Sequence, residues 1–273
     1  MNAPPAANKL AGKTALVTGS TQGIGLAIAR SLASANMRIA VHGLATRAAG
    51  EAVAESLKRD GAMEARFFEA DLRDPASIEV MMREVDAWGA IDVLVNNAGI
   101  QKTASLRELE RDTWDAIIGV NLSAAFHTMR IALPGMAQRG FGRVVNVASV
   151  HGLVASVRKA PYVAAKHGLI GLSRVAALEY ATAGSKASGG VTVNCICPGW
   201  TETELILPQI AERATALGVD RDAAIASLLS EKQPTQRTSD PSEIGNLALW
   251  LCNPAAHNVT GACIPVDGGW TAQ

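Results

Sequence analysis

The strongest constraint in this sequence is a rhythm of short, almost wholly apolar runs separated by longer segments with helical spacing. The runs fall at 14–17, 38–42, 65–69, 92–95, 143–147, 191–195 and 263–266, and the helical segments at 24–34, 47–59, 76–87, 113–137, 162–180 and 241–251. A strand that is apolar on both sides must be covered on both faces, and helices between consecutive strands supply that cover when the strands run parallel. The expected fold class is α/β: a doubly wound parallel sheet of the Rossmann type in one domain, with its ligand at the carboxyl ends of the strands.

With 273 residues and no internal shift in composition, the chain is read as a single domain over 10–273. The Ala/Pro-rich stretch 1–9 has no apolar face to bury and is expected to be disordered. Residues 203–230 have helical spacing but no strand partner and follow a strand end, which predicts a substrate lid, with an interface helix as the other use. The Ser/Gly/Lys-rich loop 182–190 is read as a mobile surface insertion.

Twenty-five basic and twenty-five acidic residues leave no net charge, and no basic block is present. Nucleic acid and membrane are therefore not expected partners, and a small substrate fits better. No run of consecutive apolar residues approaches the roughly 20 that a membrane helix needs, and the first residues lack an apolar signal region, so a cytoplasmic protein is expected. Cys195, Cys197, Cys252 and Cys263 lack the spacing of a zinc site. No metal is expected, and Cys195 and Cys197 are read as buried thiols.

Directly after the first apolar run stands Thr18-Gly19-Ser20-Thr21-Gln22-Gly23-Ile24-Gly25. Gly19 allows a tight turn, Gly23 lets backbone approach a pyrophosphate, and Gly25 lets helix pack on strand, so phosphate meets the free N–H groups of a helix N-terminus. Asp71, followed by Leu72 after the third run, is placed either to accept from an adenine amino group or to cap the next helix. The Asn96-Asn97-Ala98-Gly99 turn suits a tight turn and contact with a ribose. The second run ends in His42-Gly43-Leu44, where an acid usually reads a ribose hydroxyl or an arginine a 2′-phosphate. Neither stands at the tip; Arg47 nearby either reads a phosphate or is solvated.

Tyr162 and Lys166, four apart in a helical segment, share a face. A phenol with a pKa near 10 is a poor base at neutral pH, and a neighbouring ammonium is expected to favour its phenolate. Ser149 can bind a reacting oxygen, and Asn121 can hold a water for proton relay.

These residues, with the glycine loop, resemble the short-chain dehydrogenase/reductase family from about Leu10 to the C-terminus. The resemblance implies catalysis by Asn121, Ser149, Tyr162 and Lys166. It also implies NAD bound by Gly19, Thr21, Gly23, Ile24, Gly25, Leu44, Asp71, Leu72, Asn97, Ala98, Gly99, Val120, Tyr162, Lys166, Pro198, Gly199, Trp200 and Thr203. Segments 149–156, 162–168, 197–200 and 267–273 are similar to a branch of the family that interconverts (R)-3-hydroxybutyrate and acetoacetate, typically as homotetramers. In that branch a short hydroxy acid or keto acid is held by residues matching Gln101, His151, Lys159 and Gln209, with charge-assisted bonds from lysine and imidazole. Trp200 and Trp270 match its walls. An NADP-linked reductase of 3-oxoacyl thioesters would lack a use for Lys159 and His151, and a non-catalytic dinucleotide sensor would not need all four catalytic residues.

Overall fold

The computed structural model describes residues 9–272; the stretch expected to be disordered lies, but for Lys9, outside them. Strands β1 (Thr14–Val17), β2 (Arg38–His42), β3 (Glu64–Phe68), β4 (Ile91–Asn96), β5 (Phe141–Val147), β6 (Gly190–Pro198) and β7 (Cys263–Val266) form one parallel sheet in the order β3-β2-β1-β4-β5-β6-β7. Helices α1 (Gly23–Ala33), α2 (Arg47–Arg59), α3 (Pro75–Trp88), α4 (Arg111–Ile118), α5 (Ala124–Arg139), α6 (Ala160–Glu179), α7 (Leu207–Leu217), α8 (Arg221–Ser230) and α9 (Pro241–Cys252) complete the chain.

Alternation along β1 explains the two layers. Ala15 and Val17 enter a core with Ile28 and Leu32 of α1, Leu57 of α2 and Ile244 and Leu251 of α9. Leu16 enters the opposite core with Ile78 and Met82 of α3 and Met129 and Leu133 of α5. Each strand is thus covered on both faces, as its unbroken apolar character requires. Chain order reverses between β1 and β4, which opens a crevice at their carboxyl ends.

The helix expected over 113–137 is broken. A π turn at Gly119–Ser123 separates α4 from α5. Within it, Asn121 Oδ1 accepts from the Ile100 N–H and its Nδ2 donates to the Ile100 carbonyl, both at 2.9 Å. A local pattern cannot register this insertion, because the clamp joins two separate segments. Arg111–Arg139 as a whole is also long and apolar enough to cross a membrane by length and composition, which consecutive apolar runs did not register. Its apolar side chains Met129, Leu133 and Met136 are buried against the sheet.

The loop before β6 is tied down by Arg143, whose buried guanidinium donates to the carbonyls of Gly189 and Gly190. Ser185 and Ser188 bond to each other across its turn. Cys195 and Cys197 are buried, as expected.

Candidate active site

The crevice is a cleft of about 620 Å³. Of the eighteen residues expected to bind the coenzyme, seventeen line it, from Gly19 in the glycine loop to Thr203. Trp200 does not, because its ring turns away to stack on Trp270 at 6.4 Å.

The glycine loop needs its glycines for different reasons. Gly19 and Gly23 have φ of 64° and 54°, where a side chain is strained. A Cβ on Gly25 would stand 2.1 Å from the Gly19 carbonyl oxygen and 2.4 Å from Asn97 Nδ2. Helix α1 has no side-chain cap, whereas α2, α3, α8 and α9 are capped by Thr46, Asp74, Asp220 and Asp240. An uncapped helix N-terminus behind a glycine cradle, facing the cleft, fits a dinucleotide pyrophosphate.

Several side chains have partners that the sequence left open. Asp74, not Asp71, caps α3. Asp71 instead grips Arg73, whose Nη2 donates at 2.6 Å and whose Nε bonds both carboxylate oxygens, and this pairing pulls the Asp71 carboxyl down to about 2. Asn97 Nδ2 is engaged by the carbonyls of Thr18 and Gly19, so its amide braces the glycine loop. His42 Nδ1 accepts from the Gly19 N–H at 3.2 Å, which leaves Nε2 to donate to the Ala70 carbonyl at 3.1 Å. Burial pushes its pKa below 6.5. Arg47 pairs with Glu51 and Glu69 on the surface, away from the cleft.

Ser149, at the end of β5, and Tyr162 and Lys166, from the first turns of α6, converge on the cleft. Ser149 is the group that favours the Tyr162 phenolate. The Lys166 ammonium donates to the Val147 carbonyl at 2.8 Å and lies 5.6 Å from the centre of the Tyr162 ring. The expectation that Lys166 favours the phenolate is therefore not met in this state. Burial raises Tyr162 to about 12, Ser149 alone opposing it, and burial lowers Lys166 to about 8.

Beyond Tyr162, Lys159 Nζ donates to Gln209 Oε1 at 2.6 Å and lies 5.7 Å over the Trp200 ring. The His151 ring packs edge-on against Tyr162 and Trp270, at 5.9 Å and 5.5 Å. Five of the six residues expected at the substrate are thus assembled. Gln101 follows the clamped Ile100 but makes no side-chain hydrogen bond among the described residues. The segment 203–230 folds as a short 3-10 turn, α7 and α8. It lies over the 151–160 loop through Lys159–Gln209 and an Arg158–Glu212 ion pair at 3.0 Å.

The short chain dehydrogenase family matches residues 13–213. The chain belongs to the short-chain dehydrogenase family. Among curated relatives, this dehydrogenase is 48% identical to a D-beta-hydroxybutyrate dehydrogenase of Cupriavidus necator over 97% of its own chain and 100% of the relative. It is 43% identical to a protein of the same name from Rhizobium meliloti, covering 96% and 99%. Among solved structures it is similar to a gluconate 5-dehydrogenase from Burkholderia cenocepacia in complex with NADP and tartrate, with TM-score 0.85, 33% identity and 98% of each chain covered. It is an oxidoreductase.

Two residues of the dehydrogenase's substrate end went unnoticed in the sequence. Lys232 Nζ donates to Ser156 Oγ at 3.0 Å and lies 5.3 Å over the Trp270 ring. Neither has a pattern of its own: one follows α8, the other sits in a loop. A polar atom also stands ready, since the buried Trp200 indole N–H has no hydrogen-bond partner.

His151 is not the cation that a charge-assisted role requires. Burial, then Lys159, Lys232 and His167, push it down to about 3 from 6.5, so it serves as a neutral group. The unfolded chain then binds the extra proton and the native state does not, so stability is full above pH 6.5 and is lost as pH falls towards 3. The loss amounts to about 1.4 kcal/mol per pH unit at most. Urea melts at pH 7 and 4.5 are expected to show His151→Gln losing about 2 kcal/mol less stability than wild type. Equal losses in the two proteins would mean that the imidazole protonates freely in the native state.

Proposed function

We propose that this dehydrogenase interconverts (R)-3-hydroxybutyrate and acetoacetate with NAD. The observation that carries the reading is Lys159: a half-buried ammonium three positions before Tyr162, bonded to the neutral Gln209, set over the Trp200 ring and paired with no carboxylate among the described residues. Such a cation suits the carboxylate of a short hydroxy acid whose 3-oxygen lies at Ser149 and Tyr162. Names of the relatives from Cupriavidus necator and Rhizobium meliloti support the same substrate.

In this reading Gln101, Lys159 and Gln209 hold the carboxylate, the neutral His151 walls the pocket beside Trp270 instead of donating as the resemblance implied, and Trp200 and Trp270 exclude water. Ser149 donates to the reacting oxygen, Tyr162 exchanges its proton, and Asn121 supports the relay to solvent. Lys166 and the glycine loop hold the coenzyme, which supplies the hydride acceptor when bound. Asn121 acts first through its clamp on Ile100 and the π turn. Segment 203–230 serves as the lid, releasing Lys159 from Gln209 as substrate enters.

NAD is favoured over NADP because the basic side chains that follow β2 and β3 are engaged and the imidazole at the tip of β2 is neutral. Arg73 is bonded to Asp71, Arg47 to Glu51 and Glu69, and the His42 imidazole to Gly19 and Ala70. A 2′-phosphate would have to break one of these pairs. A homotetramer is supported by apolar side chains exposed on α4, α5 and α6: Trp114, Phe126, Val175 and Leu178. A cytoplasmic location accords with a soluble small-molecule substrate and a nicotinamide coenzyme.

Absorbance at 340 nm with (R)- and (S)-3-hydroxybutyrate, each with NAD and NADP, tests the reading. Rapid reduction of NAD by the (R) form alone is expected. Turnover of a 3-oxoacyl thioester with NADPH, and none with the hydroxy acid, would overturn it.

A further inference from the structure

We propose that Lys232, acting through Ser156, is a positioning residue that sets the tautomer of His151 and thereby makes Ser149 a hydrogen-bond donor to the reacting oxygen. The proposal rests on the hydroxy-acid reading only for its kinetic arm. An unbroken chain of polar contacts carries it. Lys232 Nζ lies 3.0 Å from Ser156 Oγ, Ser156 Oγ lies 3.0 Å from His151 Nε2, and His151 Nδ1 lies 3.4 Å from Ser149 Oγ. At the far end Ser149 and Tyr162 both line the cleft.

Donor and acceptor rules give this chain a direction. An ammonium only donates, so Ser156 Oγ accepts from Lys232 and its own hydrogen is free to point at His151 Nε2. The positive field of Lys232 falls on Nε2, the nearer ring nitrogen, and disfavours a hydrogen there. The imidazole is neutral, so its one hydrogen goes to Nδ1 and faces Ser149. Ser149 Oγ also accepts from the His151 main-chain N–H at 3.1 Å. With two donors directed at its oxygen, the Ser149 hydroxyl is left to point its one hydrogen at a substrate oxygen placed beside Tyr162.

The reverse tautomer would undo this. A hydrogen on Nε2 would turn Nδ1 into an acceptor, and Ser149 would donate into the imidazole instead of towards the reaction. Lys159, His167 and Lys166 are the other cationic or titratable groups around His151 and Tyr162, and none of them bonds to Ser156. Lys232 has no carboxylate partner among the described residues, so its charge acts on the chain undiminished.

Lys232→Met keeps the apolar contact with Trp270 and removes the charge; Ser156→Ala cuts the chain one step later. Magic-angle-spinning 15N spectra of histidine-labelled resting protein, with His151 assigned by its absence from a His151→Asn variant, report the tautomer without any substrate. Wild type is expected to carry the hydrogen on Nδ1, and both variants to move it to Nε2. In turnover of the hydroxy acid, each variant is expected to lose about tenfold in kcat with KM within about twofold, the double variant no more than either single one, and Lys232→Arg to recover. A wild-type hydrogen on Nε2 would overturn the proposal. So would a Lys232→Met protein with raised KM and unchanged kcat, which would make Lys232 a carboxylate donor. If wild type turns over no hydroxy acid, the functional reading fails while the spectra still decide the tautomer.

Discussion

Tyr162→Phe is expected to lower kcat by about 10³, within the range lost when a positioned proton donor is removed, while coenzyme still quenches tryptophan fluorescence with near wild-type affinity. Phenylalanine preserves the ring that packs on His151 and lies above Lys166, so the fold has no reason to change. What disappears is the phenol hydroxyl that lines the cleft with Ser149. In the resting structure this phenol is held protonated, at about 12, the form needed to donate to a ketone oxygen. For oxidation it must lose that proton, and burial opposes the loss in this state. Near wild-type turnover of the variant would remove Tyr162 from the proton transfer altogether.

Lys159→Met is the second large effect. A charge-assisted bond to a carboxylate is worth about 1.5–3 kcal/mol, so KM for the hydroxy acid should rise roughly 30-fold with kcat much less affected. The methyl ester of the same substrate has no carboxylate, and its kcat/KM should hardly differ between variant and wild type. Burial and then Lys232 lower the Lys159 ammonium to about 8. Its charge is full below that value and disappears above it, so the wild-type KM for the acid should climb as pH passes 8. Equal losses with acid and ester would assign Lys159 a structural part only.

Much of the framework was legible because it is local. The bounds of β1, β2, α2 and β7 coincide with those read from apolar spacing, since each of these elements is terminated by residues within its own flanks. The glycine loop was legible for the same reason: Gly19 and Gly23 occupy conformations that other residues resist, so their type betrays their geometry. Helix 113–137 was misread as continuous because Asn121 is recruited by Ile100, twenty-one positions away. Asp71 was read as a possible cap of the helix that starts at Pro75, but Asp74 stands next to that proline and takes the part, while Arg73 takes Asp71.

Residue type and spacing by themselves determined that this chain forms a two-faced parallel sheet and where its glycine-lined cleft opens. Those properties follow from periodicity and from backbone conformations that few residues tolerate. Tertiary structure decided the charge and direction of the groups in the site: a neutral His151, a protonated Tyr162, a Lys166 turned to a carbonyl, and a Lys232 that donates to Ser156 across 76 positions of chain. The physical reason is that protonation and hydrogen-bond polarity depend on desolvation and on the nearest charge, which are set only when distant segments pack together.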